Sequence, residues 1–296
     1  MPRLSGEQLH AQWTPAGDAL LIAATQNRHE AARAQVYYHL YRVDANGGEP
    51  EQLTDSQDWS CHTPQFAPDG RSLYCQIQPV SEFVYNLTEL GRFDWPRSGA
   101  AADFDDSVEL LTAGFDRSVS EYALATDGRS AYFTALDHGR TRLFATAAKG
   151  ADPVRAIDAD SPGVYAGPKP AGGALVARWE DATNPAEVVR VDPRRGGHER
   201  LSAFNVERAA ELDRQPFREF WIETDKGRRV HSWVTLPPNF SEQGKYPVIT
   251  LIHGGPHSSS RDADHVRWSP HLVASAGYVV IQTDYTGSVG YGVDFA

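Results

Sequence analysis

The sequence predicts two architectures in one chain: about four β-propeller blades over residues 1–205, then the opening of an α/β domain over 206–296. Three observations carry that reading. A Gly-bearing turn followed by an apolar run recurs four times, a second hairpin signal alternates with it, and both rhythms stop near residue 205. Beyond that point come longer apolar strands and a capped helix.

The first signal is seen in "WTPAGDALLIAA" from Trp13, "FAPDGRSLYCQI" from Phe66, "LATDGRSAYFTA" from Leu124 and "PKPAGGALVARW" from Pro168. Gly17, Gly70, Gly128 and Gly173 stand 53, 58 and 45 residues apart. Asp-Gly at 69–70 and 127–128 suits a tight turn that needs a left-handed backbone position. The second signal is "LYRVDANGGEPEQLT" from Leu40, "LFATAAKGADPVRAI" from Leu143 and "VVRVDPRRGGHERLS" from Val188. Two hairpins per unit make four strands. A lone four-stranded sheet cannot bury both faces, whereas a radial stack of them can, and periods of this length mark propeller blades. A meandering β-sandwich with similar turns is the alternative. Residues 81–111 break the rhythm and lengthen the second unit; their acidic group at Asp103, Asp105 and Asp106 lacks calcium-loop spacing and reads as a solvated loop.

After 205, residues 219–223 and 229–236 read as a hairpin around Asp225-Lys226-Gly227. Residues 248–252, "VITLI", read as an interior strand of a parallel sheet, buried on both faces. Ser269 as N-cap, Pro270 at the first helical position and Gly277 past the end bracket a short helix. The run 278–282 is the next strand, and a right-handed crossover places it parallel to 248–252.

The formal net charge is -11, from 28 basic and 39 acidic residues, and no basic stripe is present. That balance argues against a nucleic-acid partner. No run approaches eighteen apolar residues, so no membrane span is expected. The first residues lack the apolar core of a signal peptide. That places the protein in the cytoplasm if Met1 is the true start, and in the periplasm or outside the cell if an upstream signal has been lost. Cys61 and Cys75, the only cysteines, read as two packed or exposed thiols, with one disulfide as the alternative. No metal or cofactor motif is found.

The chemistry-bearing stretch is His253-Gly254-Gly255-Pro256-His257 at the end of the "VITLI" run. Two glycines there leave backbone N–H groups that no side chain obstructs. Such a donor can hold the oxygen of a tetrahedral intermediate, and an HGGG-type loop serves this purpose in α/β-hydrolases.

With "HGGPH" followed by "WSPHLVASAGYVVIQTDYTGSVGYGVDFA" (268–296), the chain resembles the start of the hydrolase domain in the prolyl oligopeptidase family of serine peptidases. The acylaminoacyl-peptidase and dipeptidyl-peptidase branches are the nearest in pattern. Residues 111–144 resemble a propeller stretch of the same branches. The resemblance implies β-propeller blades, part of a larger propeller of about seven, capping an α/β-hydrolase domain that cleaves short peptides between them. It implies that Gly254 and Gly255 form the oxyanion-hole loop, that His257 lies on the site's rim, and that Tyr285, Ser288 and Tyr291 help shape it. Thr286 departs from the pattern, standing where an Arg is usual.

No Gly-x-Ser-x-Gly elbow occurs; "GSVGYG" places Ser288 without the required preceding glycine. Ser258, Ser259 and Ser260 read as solvated turn hydroxyls, and none of the eleven histidines stands as a general base. The resemblance therefore implies a chain that stops before its Ser, Asp and His triad and is inactive alone, with self-association through exposed sheet edges. The alternatives are a non-catalytic propeller interaction module and an α/β-hydrolase acting on esters.

Overall fold

The computed structural model describes residues 10–30, 36–81, 83, 85–95, 107–150 and 152–296. Four antiparallel sheets follow one another along the chain, each of four strands in sequential order. The first has β1 (Gln12–Trp13), β2 (Ala19–Ala24), β3 (His39–Asp44) and β4 (Glu51–Gln52). The second has β5 (Trp59–Phe66), β6 (Ser72–Pro79), β7 (Glu89–Asp94) and β8 (Glu109–Leu110). The third has β9 (Val119–Leu124), β10 (Ser130–Asp137), β11 (Arg140–Ala147) and β12 (Arg155–Ala156). The fourth has β13 (Val164–Ala171), β14 (Ala174–Glu180), β15 (Glu187–Val191) and β16 (His198–Arg200). These are propeller blades, and every repeated turn in the sequence falls between strands of one blade. Gly70 and Gly128 both take φ +67°, a conformation that costs glycine nothing, which is why Asp-Gly recurs there.

In the second blade the irregular segment supplies a strand, and one expectation is corrected. Strand β7 lies within the irregular segment: its four consecutive residues Leu90, Gly91, Arg92 and Phe93 are all buried, without the two-residue alternation that marks a half-buried strand. The acidic group at 103, 105 and 106 lies outside the described residues. Cys61 and Cys75 are joined as a disulfide, their Cα atoms 5.9 Å apart on paired strands β5 and β6, where two thiols were expected. Neighbouring antiparallel strands hold Cα atoms at a spacing that a disulfide bridges without backbone movement.

The chain packs as two compact units: Met1–Phe115 with Leu124–Ala131 and Thr146–Val154, and Asp116–Ala123 with Tyr132–Ala145 and Arg155–Ala296. The first is centred on Leu21, Leu40, Leu73, Phe93 and the disulfide. The second contains Leu143, Tyr165, Leu175, Trp179, Val189 and Val191 packed together. Leu175 is wholly buried at the middle of that cluster. Leu175→Ala is therefore expected to lower stability by about 2–5 kcal/mol, the range for a leucine deleted from a close-packed core; urea unfolding followed by tryptophan fluorescence measures it.

After a short helix, α1 (Val206–Ala210), the second unit ends in a mixed sheet. Its strands are β17 (Arg218–Glu223), β18 (Arg229–Thr235), β19 (Val248–Leu251) and β20 (Val279–Asp284), in the order β17-β18-β20-β19. The hairpin and the crossover follow the sequence reading: β17 and β18 are antiparallel, and β19 runs parallel to β20 with Val248 opposite Val279. Helix α2 (Pro270–Ala274) forms the crossover, with Ser269 capping it through the Leu272 N–H at 3.4 Å and Gly277 at φ +93° ending it. The interior-strand reading of residues 248–252 is not met, whereas the exposed sheet edge also expected is present. Strand β19 is not buried on both faces: Val248 is 57% exposed and Ile252 75% exposed. An apolar run marks what a strand is built to bury, whereas here β19 is the sheet's outer strand, paired on one side only. Among the described residues, no helix is long and apolar enough to cross a membrane.

Candidate active-site turn

Strand β19 leads directly into His253-Gly254-Gly255-Pro256. The Gly255–Pro256 peptide bond is cis, and Gly255 takes φ +141°. A Cβ at Gly255 would lie 2.7 Å from the His257 nitrogen, and one at Gly254 would meet nothing within 4 Å. Only glycine fits the second position, and the turn's surface at Gly254, Gly255 and Pro256 is exposed. An outward-facing main-chain surface free of side chains, at the C-terminal end of a parallel strand, is where α/β sheets place ligand sites.

A buried carboxylate holds the turn from behind. Asp284, at the end of β20, is wholly buried. Its Oδ1 accepts from the Ser260 N–H at 2.7 Å, and its Oδ2 accepts from the Ser259 hydroxyl at 2.8 Å and from the Tyr291 hydroxyl. Tyr291 has one proton and gives it to Asp284, so His231 Nδ1, 2.8 Å from the Tyr291 oxygen, donates in turn. Burial alone would raise the Asp284 carboxyl. The neighbouring His231, the Ser260 N–H, Tyr291 and Ser259 outweigh it and hold the group below its usual range. Burial and the adjacent Asp284 charge push the Tyr291 phenol up. Ser259 and Ser260 are thus ligands of a carboxylate, not solvated hydroxyls; the sequence offered no sign of a buried acceptor beneath them.

The predicted rim residues fall around this turn in different ways. His257 is half-buried, and its Nδ1 donates to the Gly287 carbonyl at 3.1 Å. The Tyr285 ring stacks on His253 at 4.6 Å while its hydroxyl donates to the His253 carbonyl at 2.8 Å. Ser288 is wholly buried, 2.9 Å from His253 Nε2.

Ser288, His253 and Asp284 are a serine, a histidine and an aspartate in contact, yet their geometry is not that of a triad. In a relay the aspartate meets one ring nitrogen and the serine the other. Here Ser288 Oγ and Asp284 Oδ1, at 2.9 and 3.3 Å, meet the same Nε2, while Nδ1 donates to the Gly254 carbonyl at 3.0 Å. The Ser288 hydroxyl also has no exposed surface through which to attack a substrate.

Sequence reasoning missed the propeller side of this region. The turn between β10 and β11 reaches the segment after β20: the His138 N–H donates to the Gly290 carbonyl at 3.0 Å, and its ring meets those of Trp221 and Tyr291 edge-on at 5.5 Å. A cleft of about 90 Å³ opens beside it, lined by Asp137, His138, Arg140, Arg142, Asp160 and Ser161. Its charges pair with one another and with their neighbours. Arg142 reaches Asp158 at 2.7 Å, and Arg140 reaches Glu219 at 3.0 Å. Burial would raise Asp137, but His138 and Arg117 together hold it down at about 2. The only signal for this cluster was the charge density of residues 137–142, which any solvated turn shares. Among the described residues, no group of three or more His, Cys, Asp or Glu could hold a metal ion.

Four-stranded blades followed by a mixed sheet with a glycine turn at the end of its parallel strand define a propeller-bearing chain that opens an α/β-hydrolase domain. Comparison with known proteins gives the same class. The chain is 26% identical over 259 residues to dipeptidyl-peptidase 5 of Schizosaccharomyces pombe, covering 86% of this chain and 36% of that protein. It is 30% identical over 251 residues to dipeptidyl-peptidase 5 of Aspergillus fumigatus, covering 78% and 31%. Its fold is similar to that of an acylaminoacyl peptidase from Pyrococcus horikoshii, with TM-score 0.71, 23% identity, and coverage of 100% of this chain and 42% of that one. No family model matches the chain. The chain is similar over most of its length to peptidases of the prolyl oligopeptidase family, and it spans well under half the length of these relatives.

Proposed function

We propose that this chain supplies propeller blades, residues 1–205, and the opening of the catalytic domain, residues 206–296, of a serine peptidase that hydrolyses short peptides. Its reaction is of the dipeptidyl or acylaminoacyl type. The observation that carries the reading is the exposed Gly254-Gly255 turn at the end of β19, backed by Asp284 and shaped so that only glycine fits at 255. In this reading a main-chain N–H of the turn receives the carbonyl oxygen of the scissile bond as it gains charge. His257 and Tyr285 border that position, and Ser288 and Tyr291 brace it from beneath.

The nucleophile, its base and the second oxyanion donor come from the part of the relatives' length that this chain does not span. The turn alone steadies an oxyanion that no serine here creates. The test is hydrolysis of fluorogenic dipeptidyl and N-acylaminoacyl amides by a protein that joins this segment to a family catalytic half. Turnover lost in Gly255→Pro, which removes the N–H, supports the reading; ester hydrolysis without amide hydrolysis favours an esterase instead.

The open edge of β19, with Val248 and Ile252 exposed beside it, supports self-association of the 296-residue chain. Sedimentation is expected to show a weight-average mass that rises with concentration. A constant monomer mass would contradict it.

A further inference from the structure

The loop that follows the glycine turn is tied at intervals of about two residues. The Ser258 N–H donates to the Pro256 carbonyl at 2.6 Å, and the Ser258 carbonyl accepts from Val289 at 3.0 Å. Ser260 is held by Asp284, and its carbonyl accepts from the Trp233 indole at 3.3 Å. The last tie is Asp262, only 7% exposed, and it leaves the α/β sheet altogether.

Asp262 makes three main-chain contacts on two blades. Its N–H donates to the Gly139 carbonyl at 2.9 Å, in the turn between β10 and β11. Its Oδ2 accepts from the Gly163 N–H at 2.9 Å, just before β13, and its Oδ1 accepts from the Ala182 N–H at 3.1 Å, after β14. The backbone is shaped to admit these contacts. A Cβ at Gly139 would lie 2.7 Å from the Trp233 indole nitrogen, and one at Gly163 would lie 2.2 Å from the Glu180 carbonyl oxygen. Two N–H groups aimed at two oxygens of one side chain require a carboxylate. Asparagine, although the same shape, would point an NH₂ at one of the donors.

We propose that Asp262 is a positioning residue through which the third and fourth blades set the place of the Gly254-Gly255 turn. It acts through the loop and touches no substrate. Displacement at 262 passes along the tied residues 260 and 258 to the turn, and a misplacement of about 1 Å at a reacting centre lowers turnover by roughly 10²-fold. The inference rests on reading that turn as an oxyanion donor, but its test needs no turnover.

Amide hydrogen exchange in the 296-residue chain, wild type against Asp262→Asn and Asp262→Glu, decides it. Exchange at Ser258 and Ser260 is compared with exchange at core residues Leu175 and Val280. For Asp262→Asn the loop amides are expected to exchange roughly tenfold faster than in wild type, with the core amides changing much less, because local opening is read separately from global unfolding. Asp262→Glu, which keeps both acceptor oxygens, is expected to restore most of the loop's protection. Loop and core accelerating by the same factor, or a loop unchanged in Asp262→Asn, would overturn the proposal. The first result makes Asp262 a general stabiliser of the fold, the second a tie between blades alone. Neither bears on whether the longer protein cleaves peptides.

Discussion

Asp284→Ala is expected to destabilise the second unit by about 3–5 kcal/mol, the cost of breaking a buried charged network by removing one partner. The substitution leaves the Ser260 N–H and the Ser259 and Tyr291 hydroxyls without their shared acceptor in a buried site. Each donor stranded in this way costs about 1–3 kcal/mol, partly recovered as the loop relaxes. Asp284→Asn keeps the volume and one acceptor and is expected to cost less. The same network fixes a pH dependence. Because the folded state holds Asp284 below the usual aspartate value of 3.8, its contribution is fully present above about pH 4 and is lost as the pH falls through the lower folded value. Urea unfolding from neutral pH down into the acid range is expected to show wild-type stability falling below about pH 4 more steeply than that of Asp284→Asn. Parallel curves would show that the carboxylate contributes no linkage.

Gly255→Ala is expected to have the largest effect on catalysis of any change to a residue in this chain. At φ +141° the added methyl is strained wherever it points, and here it would also lie 2.7 Å from the His257 nitrogen. A non-glycine residue held in such a conformation costs on the order of 1–3 kcal/mol, which the turn can escape only by rotating its N–H away from the cleft. Loss of one oxyanion-hole donor lowers kcat by roughly 10²–10³-fold. In a protein joining this segment to a family catalytic half, kcat for a dipeptidyl amide is expected to fall by about that factor, with KM changed little because the ground-state carbonyl gains less from the donor. Equal losses in Gly254→Ala and Gly255→Ala would argue against this assignment, because a Cβ at Gly254 meets open space.

The blades were legible because each is a local object. The turn glycines and the apolar runs that follow them sit within about a dozen residues of one another, so hairpin pairing follows from period and turn chemistry alone. The crossover from β19 through Ser269, Pro270 and Gly277 to β20 was legible for the same reason. Burial was less so: "VITLI" is apolar enough for an interior strand, and only the strand order β17-β18-β20-β19 shows it lying outermost. The glycine turn stood out as a motif, but the residues that hold it did not. Asp284, His231 and Asp262 look like ordinary polar residues at strand ends and in loops. Their burial comes from partners 24 to 123 residues distant, such as Ser260 for Asp284 and Gly139 for Asp262. Ser288, His253 and Asp284 give the reverse lesson, because contact alone resembles a triad and only the shared Nε2 shows otherwise.

On the proposed function, this chain holds the donor side of a serine-peptidase site and no nucleophile. Reaction of the folded 296-residue chain with a fluorophosphonate probe, followed by intact-mass and peptide mass spectrometry, tests it most directly. The claim predicts no stoichiometric adduct on any serine, Ser288 and the three serines at 258–260 included. One probe bound per chain at a single serine, abolished by mutating that serine or His253, would contradict it.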